Sequence, residues 1–207
     1  MKRFAWIAFL AAEALLYCTF LFLDLQTGAD TKWLKFSALL LVAIASLWSG
    51  DIIISAALCL TAAADIFLLM LNQWYGLGIF FFFIVQLLYS IHLHSGKVLH
   101  MQIVLMILST IIALITQQIE VFAIGYITVF LLNLIHAASH AAQLRSNQSV
   151  LFFLGLLLFF CCDLCVGYYN IGSGAFWAFA RVAMWGFYLP GQVLILLSAI
   201  SQQGDPS

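Results

Sequence analysis

Charge is what this chain has least of. Only 7% of its 207 residues are Asp, Glu, Lys or Arg, against about 25% in an ordinary soluble domain. A water-soluble enzyme, a nucleic-acid binder and a disordered chain each need a polar or basic surface, so all three are excluded. The formal net charge of −1 implies no bulk electrostatic partner. Linkers and low-complexity tracts are also missing, and the longest polar connection runs over residues 24–32. Alternation of polar and apolar residues is missing from runs such as 151–160, which argues against membrane strands. All five cysteines lie inside apolar runs, so no disulfide framework is expected; Cys162-x-x-Cys165 reads as packing rather than as a redox or zinc motif.

What remains is 66% hydrophobic, with a mean hydropathy of +1.14. The expected class is all-α: a polytopic membrane helix bundle in one domain, residues 1–207. Eight apolar stretches stand out, at 4–23, 33–48, 52–71, 76–92, 101–116, 121–144, 150–170 and 178–200. A bilayer crossing takes about 20 residues, and helices satisfy the backbone in lipid. Met1-Lys2-Arg3 before an apolar run has the form of a signal-peptide start. However, Glu13 interrupts the run, no small-x-small cleavage site follows, and Tyr17 stands before Cys18 where a lipoprotein site needs a small residue. The first span is therefore expected to stay. Eight crossings put both termini on one side. With that side cytoplasmic, Lys2, Arg3, Lys97 and Arg145 lie inside and Lys32, Lys35 and Arg181 outside, which favours the cell (inner) membrane with termini inside.

A charge near the membrane centre costs about 2.5–3.5 kcal/mol on insertion scales. Beyond the first span, only Asp65 and Asp163 are carboxylates deep in apolar stretches. They fall at matching places in the third and seventh spans, and each is followed seven residues later by an asparagine, Asn72 and Asn170. Seven residues is almost two helical turns, which puts each pair on one face. The fourth span carries Gln86, Tyr89 and Ser90 on one stripe. The eighth carries Arg181, Trp185, Tyr188 and Gln192 on another. This pattern reads as two parallel four-helix halves with a polar site between the third, fourth, seventh and eighth helices. Lys35 and Arg181 enter on the side nearer both aspartates, as in a pocket with an anion-binding mouth and an acidic interior.

Other readings fit parts of the pattern. Each Asp alone serves as interhelical glue, and either cation alone as a snorkelling residue. His136-x3-His140 has the helical spacing of a zinc pair, as in zinc-dependent ceramidase-type lipid hydrolases, with Asn133 and Tyr126 on the same stripe. It sits at the far end of its span from the aspartates. Parallel repeats around buried carboxylates also suit a small transporter, and a non-catalytic scaffold is the third alternative.

At these residues the sequence resembles the YhhN-like lysoplasmalogenase family of eight-helix membrane proteins. The resemblance runs from Lys35 to Leu197. It rests on Lys35 itself, on the segment Leu60-Thr61-Ala62-Ala63-Ala64-Asp65-Ile66-Phe67-Leu68, on Gly78 with Phe81, and on Gln86-Leu87-Leu88-Tyr89. It continues through Cys162-Asp163-Leu164 and Tyr188-Leu189-Pro190-Gly191-Gln192-Val193-Leu194-Ile195. The family pattern has Gly-Asp, a His before Leu-Leu-Tyr, and Ser-Asp; here these read Ala64-Asp65, Gln86 and Cys162-Asp163. The resemblance implies an enzyme, an ether hydrolase that cleaves the vinyl-ether bond of lysoplasmalogens to a fatty aldehyde and a glycerophospho-ethanolamine or -choline. The chemistry suits the residues, because protonation at the β-carbon and addition of water need one acid and one base. Two buried carboxylates divide those tasks, and since such a pair titrates jointly, which Asp gives and which takes stays open. Asp65 and Asp163 are thus the expected catalytic pair, and Lys35 and Arg181 hold the phosphate. Asn72, Gln86, Tyr89, Asn170, Tyr188 and Gln192 are the other substrate-side residues. No metal or cofactor is expected, and the partners are a lysophospholipid and the bilayer, not nucleic acid.

Overall fold

The computed structural model of the chain describes residues 3–26 and 29–200, without the side chains of Arg3 and Ala175. Lys2 and the Arg3 side chain, part of the charge count for orientation, lie outside the described residues. Eight helices follow in order: α1 Arg3–Gln26, α2 Lys32–Ser46, α3 Ile52–Asp65, α4 Tyr75–His92, α5 Gly96–Thr116, α6 Ile119–Leu144, α7 Asn147–Ile171 and α8 Ala175–Ile200. Helix α3 does not stop at Asp65 but continues as a π-helical segment, Ile66–Leu71. No strand occurs among the described residues.

Among the described residues, seven helices are long and apolar enough to cross a membrane: α1 from Phe4, α3 with its π-helical continuation, and α4 to α8. The protein is an integral multi-pass membrane protein. Helix α2 is the exception, because its 15 residues rise only about 22 Å. It is also densely packed, with Ala38, Leu39, Val42, Ala43, Ala45 and Ser46 buried. Several helices overrun the apolar stretches that announce them. Helix α5 starts at Gly96 and takes in Lys97 and His100, because a helix persists past the last lipid-facing residue while its backbone stays bonded.

Helix α5 also shows the lipid environment by inversion. Its buried residues are Gln102 and Ser109, while Val104, Ile107, Leu108, Ile111, Ile112, Leu114 and Ile115 are exposed. In water such a face costs free energy, but in hydrocarbon the polar groups are the ones that turn inward. Trp33, Trp48 and Trp74 are exposed at helix ends, where an interfacial belt holds them. The Phe80–Phe83 run surrounds α4: Phe83 is buried and Phe80 exposed.

The closest helix pair is α7 with α8. A Cβ built on Gly155 would sit 2.9 Å from the Gly191 carbonyl, and one on Gly191 would sit 3.0 Å from the Gly155 carbonyl. The two glycines let backbone meet backbone. Helix α1 is tied to α8 through a proline. Pro190 has no N–H for the carbonyl of Gly186, one turn earlier, and the Tyr17 hydroxyl donates to that carbonyl at 2.9 Å. On the side of the α2–α3 turn, Asp51 caps α3 by accepting from Ile53 and Ile54. Its other oxygen lies 3.0 Å from His92 Nδ1 at the end of α4.

Candidate functional site

Asp65 is the last residue of α3 proper, at the point where α-helical bonding gives way to π-helical bonding. Such a shift widens the turn and re-aims the side chains around it. Asp65 is 5% exposed and its Oδ2 has no hydrogen-bond partner. The phenol of Tyr188, from α8, is directed at it, yet the Tyr188 hydroxyl closes no hydrogen bond. Asp163 lies two turns before the end of α7 and is half-buried. Its Oδ2 accepts from the Tyr126 hydroxyl of α6 at 2.6 Å. The two carboxyl groups lie within electrostatic reach of each other, with Cys162 beside both.

The structure therefore brings together both aspartates expected from their matching positions, from helices nearly a hundred residues apart in sequence. Tyr188 belongs to the same cluster. Gln192 lies one turn beyond Tyr188, fully buried, with both amide atoms unpartnered. Gln86 is also fully buried, and its Nε2 faces Tyr126 without closing a hydrogen bond. Tyr89 is buried against Phe152 and faces Thr61, one turn of α3 before Asp65. Unsatisfied buried polar atoms are rare because each costs about 1–3 kcal/mol. Here they occur on Asp65, Gln86, Tyr89, Tyr188 and Gln192, and another buried pair lies on Glu13 of α1.

The paired asparagines are not part of the cluster. The π-helical segment breaks the two-turn spacing after Asp65, so Asn72 ends up exposed in a left-handed conformation, accepting from Tyr75 at 2.6 Å. Asn170 is exposed near the end of α7 and donates to the Val166 carbonyl of its own helix at 2.8 Å. Tyr126 is the residue that the sequence pattern underplayed. It shares a stripe with Asn133, His136 and His140, which there belongs to the zinc-pair reading.

On the side of the α1–α2 and α7–α8 connections lies a cavity of about 220 Å³, whose lining includes Asp24, Lys32, Lys35, Leu69, Tyr169 and Arg181. Leu69 is on the π-helical segment one turn past Asp65, so the cavity opens at the end of α3 that carries Asp65. Lys35 and Arg181 do share this mouth. Lys35 is not a bare cation, however: Asp24 Oδ2 lies 2.7 Å from its Nζ, and Thr31 donates to the other Asp24 oxygen at 2.5 Å. Sequence spacing did not reveal this pair, because Asp24 reads as the end of a loop. Arg181 is exposed and makes no ion pair among the described residues. An aromatic column joins mouth to cluster. Lys35 Nζ sits 4.8 Å from the Trp185 ring centre, and Trp185 packs edge-to-face on Tyr188 at 5.5 Å.

The histidines collect at the opposite end of the bundle, where His92, His94 and His136 lie within electrostatic reach of His140. Among the described residues, no group of three or more His, Cys, Asp or Glu side chains is arranged to hold a metal ion.

Comparison with curated proteins and with solved structures finds no match. The model of the YhhN family matches residues 31–199, from the residue before α2 to the last turn of α8. That span holds both aspartates, Tyr126, Tyr188 and the cations of the mouth, and by this match the chain belongs to the YhhN family.

Proposed function

We propose that this protein is a membrane lipid hydrolase of lysoplasmalogenase type, which cleaves the vinyl ether of a lysophospholipid to a fatty aldehyde and a glycerophospho-alcohol. The observation that carries the reading is the meeting of Asp65 and Asp163 in one buried cluster beneath a cation-bearing mouth. In a closed, low-dielectric site two neighbouring carboxyl groups resist ionising together, so one keeps a proton to give while the other accepts one. The acid delivers its proton to the β-carbon of the ether. The base takes a proton from the water that adds to the oxocarbenium carbon. The hemiacetal then collapses, its hydroxyl proton leaving as the glyceryl oxygen is protonated. Tyr188, Gln86, Tyr89 and Gln192 offer the unpartnered atoms that orient carboxyl groups, water or ether oxygen. Arg181 meets the phosphate, with Lys35 behind it sharing its charge with Asp24, while Asn72 and Asn170 stand at the rim. The apolar chain lies among the lipid-facing helices.

The reading includes eight crossings in two four-helix halves, with both termini in the cytoplasm of a cell whose inner membrane holds the protein. Helix α2 crosses as a short, protein-packed helix rather than a lipid-facing one. The test is direct. Purified protein is given a lysoplasmalogen and fatty aldehyde is measured, beside Asp65→Asn and Asp163→Asn. Aldehyde from the wild type alone, insensitive to chelator, supports the proposal; none from the wild type, or equal amounts from all three, ends it.

A further inference from the structure

A second polar system runs through the middle of the bundle, and its direction can be read atom by atom. Gln102 of α5 donates through Nε2 to the Val129 carbonyl at 3.3 Å and to Asn133 Oδ1 at 2.9 Å. Asn133 of α6 donates through Nδ2 to the Gln86 carbonyl at 2.7 Å and to Gln86 Oε1 at 2.9 Å. Two backbone carbonyls, which can only accept, fix both amide orientations. Flipping Gln102 or Asn133 would set oxygen against oxygen. Ser90 adds its proton between Gln102 Oε1 and Asn133 Oδ1, at 2.6 Å from each.

With Gln86 Oε1 occupied, its Nε2 is the free end, and it turns toward the Tyr126 oxygen. Tyr126 has one proton, and it goes to Asp163 Oδ2 at 2.6 Å. The donors point one way from Gln102 through Asn133 to Gln86, whose Nε2 faces Tyr126 without closing a hydrogen bond, and Tyr126 in turn donates to Asp163. A one-way file of donors presents its positive end to the last acceptor and favours that acceptor's charged form, most strongly where little water competes. Amides hold hydrogen-bond direction well and carry protons poorly, so this file orients rather than conducts.

Asp65 is faced by the Tyr188 hydroxyl in the same way, but there no hydrogen bond closes: its Oδ2 and the Tyr188 hydroxyl are both unpartnered. We infer that the two carboxyl groups have fixed and different roles, Asp65 giving the proton and Asp163 accepting one from water, with Asn133, Gln86 and Tyr126 as the positioning residues that set the difference. The inference rests on the hydrolase reading for its chemistry but not for its test. In the reaction, Asp65 gives its proton to the β-carbon and Asp163 takes one from the attacking water. On collapse Asp65 takes back the hemiacetal hydroxyl proton while Asp163 returns its own to the glyceryl oxygen, so both start the next cycle as before.

A hydrophobic carbodiimide tests where the proton sits. It takes the proton of a protonated carboxylic acid on nitrogen, the carboxylate adds to its central carbon, and rearrangement leaves a stable N-acylurea carrying the whole reagent. Asp163 is half-buried and Asp65 is 5% exposed, so access gives Asp65 no advantage. In liposomes at neutral pH, peptide mass spectrometry is expected to find the wild-type adduct at Asp65 several-fold over Asp163. Tyr126→Phe, close in shape, and Asn133→Ala, which cuts the file further back, are each expected to raise adduct at Asp163 several-fold. Adduct mainly at Asp163, equal adduct, no adduct at either, or no response to both variants would overturn the inference. A wild type that makes no aldehyde would end the hydrolase reading, while the labelling pattern would still decide this one.

Discussion

Asp65 and Asp163 occupy matching places in α3 and α7, yet they live in different surroundings. Asp163 sits on an unbroken helix and accepts a hydrogen bond from Tyr126. Asp65 sits where α3 turns π-helical, with one oxygen unpartnered. The helices packed on them differ as well. Helices α7 and α8 touch through two glycine backbones, whereas what Gly78 of α4 meets first is the Leu68 side chain on the π-helical segment. A repeated spacing in sequence therefore supplied two carboxyl groups, and unequal packing separated their environments. Two acids of one chemical kind can do opposite work only if something distinguishes them.

That contrast can be broken in graded ways. The largest effect is expected from Asp65→Asn and Asp163→Asn, each lowering aldehyde release by about 10²–10⁴-fold, the usual worth of a positioned acid or base. Thermal unfolding of both variants in detergent should stay near the wild type, which would separate chemistry from folding. Next, Gly155→Ala should lower stability by about 1–3 kcal/mol, since its Cβ meets the backbone of α8 and helices cannot part locally. Gly78→Ala should cost less, because Leu68 can turn aside. Equal losses in the two variants would show that α3–α4 and α7–α8 pack alike after all. Arg181→Gln should raise KM several-fold with kcat nearly unchanged, the mark of lost uniform binding.

The smallest effect lies at the other end of the bundle. The bond from His92 holds the Asp51 carboxyl below the usual carboxylate range, with help from the amides of Ile54 and Ile53, against the opposing effect of burial. A carboxyl so lowered adds stability above its unfolded value of about 3.9 and loses it as pH falls through its folded one. The melting temperature of the wild type should thus fall below about pH 4 more steeply than that of Asp51→Asn, which keeps a capping side chain but cannot ionise. Parallel curves would remove Asp51 from the acid response.

Much of this was legible in the chain. Hydrophobic run length located the helices, since crossing a bilayer fixes a minimum length, and the cost of burying charge singled out Asp65, Asp163, Lys35 and Arg181. What could not be read was whatever depends on partners distant in sequence or on a local change of helix type. Nothing in Ile66–Leu71 announces π-helical bonding, so Asn72 was expected on the face of Asp65. Nothing near Lys35 announces Asp24. Tyr126 was visible only as one polar residue on a stripe, because its partner, Asp163, comes from another helix.

By itself, then, the sequence determined the solvent this protein lives in and which few residues had to justify a place inside it. Those are matters of composition and of free energy per buried charge, and neither needs a partner to be named. The tertiary structure decided which of those residues meet. It brought Asp65 and Asp163 within electrostatic reach of each other, gave Lys35 a counter-ion, left Arg181 free of one among the described residues, and closed a tyrosine hydrogen bond on one carboxyl group only. Hydrogen bonds have direction and short reach, so whether two groups share one is settled only once the helices have packed.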